Sequence, residues 1–174
     1  MSNKIIVGII LATLIIIFGG VWWSSQNQTE EGARLEQPMM GEKMPDMGAQ
    51  HVARDATHPP YGSNPPTSGW HWAGVAGAGF KDEAVPDELV LHSMEHGAAV
   101  VWYRADLPES EVERIKGAFN EASGKKIMLP RADLDVPVAL TSWGYLLKQT
   151  EINEAEIKEF IARNNDRAPE KAPI

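Results

Sequence analysis

Residues 92–97 read HSMEHG, two histidines four positions apart with a glutamate directly before the second. Imidazole and carboxylate at this spacing can hold a metal ion. On a helix His92 and His96 stand one turn apart; on a strand they share a face with Met94 between them. Either way the pair can converge on one ion. The chain has five histidines, His51, His58, His71, His92 and His96, and four of them fall in two compact segments. The candidate ligands are therefore His92 and His96 first, His58 and His71 second, and Met94 third, with Glu95 orienting a ring N–H. The same letters match H-x-x-E-H, in which two histidines bind zinc and the glutamate activates water. Glu95 is then a catalytic base, and a zinc-dependent hydrolase is the alternative function. A third reading is a protein-interaction module whose histidines only brace a binding loop.

Composition narrows the metal. The chain has no cysteine, so a soft ion must be met by His and Met instead of thiolate. Met39, Met40, Met44 and Met47 crowd the polar segment PMMGEKMPDMG, where the sequence offers them no core to fill. Thioether prefers Cu(I) and imidazole suits copper or zinc, so copper is the expected ion and zinc the alternative. The formal charge is −8 over 174 residues, which argues against nucleic acid as a partner.

The elements that must position these residues follow a long apolar start. IIVGIILATLIIIFGGVWW, residues 5–23, holds nineteen residues without a charge, about the length that spans a bilayer as one helix. Trp22 and Trp23 close it as interfacial aromatics do. Lys4 on the short side places the N-terminus in the cytoplasm. Residues 1–23 are thus expected to be a transmembrane anchor, 24–57 a disordered tether, 58–163 a folded domain outside the cytoplasm, and 164–174 a solvated tail. HPPYGSNPPTSGWHW (58–72) has four prolines and two glycines, which fits a rigid extended loop laid over the domain. A helix or strand follows over 88–96, with Asp87 as N-cap and Gly97 after it. Val100–Tyr103 reads as a strand, Pro108–Ala122 as a helix and Ile127–Leu129 as a short strand. Val136–Trp143 reads as another strand that can run past Gly144 into Tyr145–Leu147. Asn153 with Glu156 marks a capping box for a last helix. The fold class is α+β: a small single domain with a short mixed sheet and two to three helices.

HPPYGSNPPTSGWH followed by ELVLHSMEHGAAVVWY resembles the signature of a family of bacterial extracytoplasmic domains of unknown function. The resemblance covers about residues 50–170 and includes His58, His71, His92, Glu95 and His96. It implies that these residues belong together and implies no reaction. Met94 falls where relatives are expected to carry an aliphatic residue.

The sequence thus supports a single-pass membrane protein whose outer domain binds a metal, most readily copper, for metal handling or delivery. Its partners are the membrane, the ion and a possible protein at the Pro/Trp loop. If the apolar run is kept as an anchor, the mature protein retains residue 1 by intact mass and stays in the membrane pellet after alkaline extraction. A mature mass lacking the first two dozen residues excludes the anchor.

Overall fold

The computed structural model describes residues 3–54 and 56–174; Met1 and Ser2 of the expected anchor and Asp55 of the expected tether lie outside the described residues. The chain divides into two units, Met1–Pro38 and Met39–Ile174. The first is one helix, α1 (Asn3–Glu36). It is long and apolar enough to cross a membrane, and Ile15, Ile16, Phe18, Trp22 and Trp23 are all exposed. Residues 24–36, expected in the tether, continue this helix.

In the second unit the described residues form a six-stranded sheet and three helices. In chain order these are β1 (Glu42–Lys43), β2 (Gly79–Phe80), α2 (Asp87–Glu95), β3 (Ala99–Arg104), α3 (Glu109–Glu121), β4 (Lys126–Arg131), β5 (Val138–Ser142), β6 (Tyr145–Gln149) and α4 (Glu154–Asn164). The sheet order is β1-β6-β5-β3-β4-β2. β2, β4 and β3 are parallel, and β3, β5, β6 and β1 are antiparallel. This is the α+β domain with a mixed sheet that the pattern of elements predicts. β3 runs through the middle, and its alternation divides the core. Ala99, Val101 and Tyr103 face α3 and α4, where Ile115, Phe119, Ile157, Phe160 and Ile161 pack. Val100 and Trp102 face the opposite side, where Val90, Leu91 and Met94 of α2 close over them.

Several boundaries differ from the sequence reading, each for a tertiary reason. Val136–Leu147 is a hairpin instead of one long strand, because Trp143 and Gly144 (φ 75°) fold β6 back onto β5. The α4 capping box is half formed. Asn153 Oδ1 accepts from Glu156 N–H, but Gln149 Oε1 takes the Asn153 N–H that the glutamate was expected to satisfy. The folded unit begins at Met39, ahead of the expected 58. Met40 exchanges two hydrogen bonds with buried Asn164 (2.8 and 2.9 Å), β1 adds to the edge of β6, and Met47 N–H donates to Ser68 Oγ. These partners lie far along the chain, so nothing local announces them.

The tail is also held down. Carbonyls at the end of a helix lack intrahelical donors, and here the chain's own terminus supplies some. Glu170 N–H donates to Glu95 O and Asp166 N–H to Gly97 O, while Ala172 O accepts from Lys125 Nζ. Gly97 (φ 96°) permits this approach: a Cβ there would stand 2.9 Å from Asp166 Cα. Gly97→Ala combines a left-handed backbone with that clash and is expected to cost about 1–3 kcal/mol. Thermal denaturation of Gly97→Ala beside Gly117→Ala, at an open helical glycine, checks this. Equal melting temperatures would show that the tail yields freely.

Candidate metal centre

His92 and Glu95 are three apart on α2 and leave the helix on one face. The Pro-rich loop brings His71 to that face. The loop is rigid because much of it is buried: Pro65 to Gly69 are covered, Gly144 N–H donates to Thr67 O, and Tyr61 Oη donates to Trp70 O. The segment before the loop brings a fourth side chain. Residues 48–52 run parallel to 69–71, with Gly69 N–H to Gly48 O, His71 N–H to Gln50 O and Val52 N–H to His71 O all at 2.8–3.0 Å. That bridge pairs His51 with His71.

Three chain segments thus meet at one carboxylate oxygen. Glu95 Oε2 lies 2.9 Å from His71 Nε2, 3.2 Å from His51 Nε2 and 3.7 Å from His92 Nδ1. All four candidate ligand atoms fall within 4.8 Å of one another. Donors about 2.1 Å from a tetrahedral ion stand about 3.4 Å apart, so the cluster has the dimensions of a metal site. Glu95, His71 and His92 are buried, while 43 % of the His51 side chain is exposed.

Proton accounting sharpens the site. A carbonyl only accepts, so His71 Nδ1 donates its proton to Gly69 O at 2.7 Å. In the neutral ring Nε2 then carries a lone pair, and it faces the Glu95 carboxylate, also an acceptor. A proton, on the ring or on the carboxyl, or a metal ion must lie between them. His92 Nδ1 is buried with no hydrogen-bond partner among the described residues. Leaving such an atom unsatisfied costs about 1–3 kcal/mol, and an ion beside it removes the cost. Burial lowers the His92 pKa, the neighbouring His96, His71 and His51 lower it further, and only Glu95 opposes them. The ring is thus held in its neutral, ligand-competent form.

The other expected ligands are elsewhere. His96 follows the last turn of α2, its ring centroid 4.3 Å from that of His92. Its Nδ1 donates to Pro173 O at 2.8 Å, and its Nε2 faces Glu170 at 3.3 Å. It clamps the tail, so the H-x-x-E-H arrangement of two ligands around a catalytic glutamate is not assembled. His58 donates from Nδ1 to Pro59 O and meets Glu88 of α2 through Nε2, bracing the loop on the helix. Met94 points into the core, and its sulfur accepts a hydrogen bond from Thr141 Oγ1, which itself accepts from Trp102 Nε1. Met40 and Met44 pack on the domain core as well. Met40, Met44 and Met94 thus have packing partners, Met47 is exposed, and the cluster offers imidazole and carboxylate alone. His51, placed by sequence in a disordered stretch, takes the position expected for His96. Its only signal was being a fifth histidine.

The chain belongs to the family described as Protein of unknown function (DUF3105), which matches residues 51–173. Among curated proteins and among solved structures, nothing matches it.

The pKa values of His58 and His92 are shifted in opposite directions. The His58 pKa is raised, first by the hydrogen bond to Pro59 O, against burial, and then by Glu88. Its contribution to stability is therefore fully present below the unfolded value near pH ~6.5 and is lost as pH rises through the folded value. His58→Gln should lose the most melting temperature at acid pH, by an amount worth about 1 kcal/mol or less for a partly exposed pair. The deficit should shrink on the alkaline side. A deficit that grows with pH would mean that neutral His58 is the form the fold uses.

Proposed function

We propose that this protein is a membrane-anchored, extracytoplasmic metal-binding protein that takes one divalent late transition ion at His51, His71, His92 and Glu95. The carrying observation is the buried, unpartnered His92 Nδ1 beside a carboxylate oxygen that also faces the lone-pair side of His71. Three imidazoles and one carboxylate suit copper(II) or zinc, and affinity at such a set favours copper(II). Because thioether is missing from the set, Cu(I) is the poorer fit. Glu95 stands at a ligand's distance from the three rings, so the arrangement favours holding and passing on an ion over hydrolysis. The acidic surface helps by raising the local concentration of cations. In this reading α1 is an uncleaved anchor and the second unit lies outside the cytoplasm, where ions arrive.

Titration of the full-length, chelator-stripped protein in detergent with copper(II) and zinc should show one ion per chain, with copper(II) held more tightly. His71→Ala and His92→Ala should each weaken binding by at least about tenfold. His58→Ala and His96→Ala should bind like the parent. Affinity should also fall as pH drops through the histidine range, because imidazole binds only when neutral. If no ion binds stoichiometrically, or if His71→Ala and His92→Ala bind like the parent, the cluster is a protonated His71–Glu95 ion pair and the proposal is wrong.

A further inference from the structure

The four donors differ in access and in anchoring. His71 and Glu95 are sealed inside, and His92 is 6 % exposed. An incoming group has no approach to them, and releasing any one would leave a polar atom stranded in the interior. His71 is also fixed through its second nitrogen to Gly69 O. His51 is different in each respect. Almost half of its side chain is in solvent, and Glu95 is its only ring hydrogen-bond partner among the described residues. It also sits on a segment joined to the loop by the short 48–52 bridge, outside the helices and the sheet.

Resting on the reading that the cluster holds an ion, we infer that His51 is the exchange ligand, the point at which a neutral nitrogen donor from outside displaces a protein ligand to load or unload the metal. As the incoming nitrogen forms its bond to the ion, the bond from the ion to His51 Nε2 breaks. Both donors are neutral, so no proton and no electron changes place. The freed His51 ring turns into water, where its lone pair is solvated. The three buried donors hold the ion during this first exchange. Release is completed as further donors of the outside partner, admitted where His51 has swung away, take over the bonds from His92, Glu95 and His71 in turn. A proton from water then replaces the ion between His71 and Glu95. The outside donor is an imidazole-type nitrogen, such as a histidine presented by a protein that gives or receives the ion.

The test uses imidazole as the donor and full-length protein in detergent, with copper(II) as the ion. His51→Gly should fold, bind more weakly than the parent, and recover affinity and the copper(II) absorption spectrum when imidazole is added. His92→Gly should show no recovery, because its vacancy is enclosed. Since His92→Gly can also fail to fold, a second measurement stands alongside it: the rate of copper(II) transfer to a strong chelator. The parent should release faster in proportion to added imidazole, and His51→Gly should release at least about tenfold faster than the parent. Parent binding with slow, imidazole-independent release, or His51→Gly releasing no faster than the parent, overturns the exchange role and leaves the metal site standing. Equal rescue of His92→Gly and His51→Gly overturns it too. A parent that binds no copper(II) removes the site and this inference together.

Discussion

The carboxylate of Glu95 is almost fully withdrawn from water, and the arrangement of this domain's α2 face is organised around that fact. An ionised carboxylate in such a place costs several kcal/mol unless positive charge and hydrogen bonds meet it. No arginine or lysine is paired with it among the described residues; what surrounds it is imidazole, from three separate stretches of chain. Imidazole can answer a carboxylate as a cation or by sharing a metal ion with it. Burial and the neighbouring rings press His92 toward the neutral form, which leaves its lone pair free for an ion. His71 donates its Nδ1 proton away to Gly69, which directs its second nitrogen inward. Both features serve a metal better than they serve a simple ion pair.

Such a site works only if its donors are held still, and α2 supplies the rigidity. One side of this helix sends Val90, Leu91 and Met94 into the core; the other presents His92 and Glu95. Met94 is tied to the sheet by the Thr141 hydroxyl, and Thr141 in turn by the Trp102 indole. Arg131, at the end of β4, grips Asp87 at the start of α2 with two hydrogen bonds and holds Asn64 of the Pro-rich loop with a third. The loop that carries His71 and the helix that carries Glu95 are thereby fixed to the same strand. At the helix's other end the C-terminal tail meets the carbonyls of Glu95 and Gly97 and the ring of His96. His51 alone reaches the carboxylate from outside this frame. The result is three fixed candidate donors and one accessible one.

The resemblance in the sequence and the family match agree on extent, about residues 50–170 and residues 51–173. The cluster draws on both of the long motifs, through His71 in the first and His92 and Glu95 in the second. It adds His51, the first residue of the matched span. α1 precedes that span, and its residues 5–23 carry no charge, which makes it long and apolar enough to cross a membrane.

Much was legible in the sequence because it is locally encoded. The apolar run of α1, the proline that opens α3, the apolar run of β3 and the asparagine cap of α4 are all settled by neighbours a few positions apart. So was the grouping of His71, His92 and Glu95, since their two segments are dense in costly polar and aromatic side chains. α2 was not, since the sequence allowed a helix or a strand there with Asp87 as N-cap. The helix starts one residue earlier, capped by Pro86. What the tertiary structure decided is which histidines share the carboxylate. His92 and His96 are one helical turn apart, yet only His92 joins the cluster, because the tail takes His96 by its Nδ1. His51 joins because residues 48–52 dock beside 69–71 through backbone hydrogen bonds. Those bonds are indifferent to side-chain type, so no residue pattern records them. For the same reason the Met-rich stretch and the C-terminal tail look unstructured when read alone. Periodicity reveals how a segment covers its own neighbourhood, and these segments are held by backbone and side-chain partners more than a hundred residues away, such as Met40 with Asn164, or by the unsatisfied end of another helix.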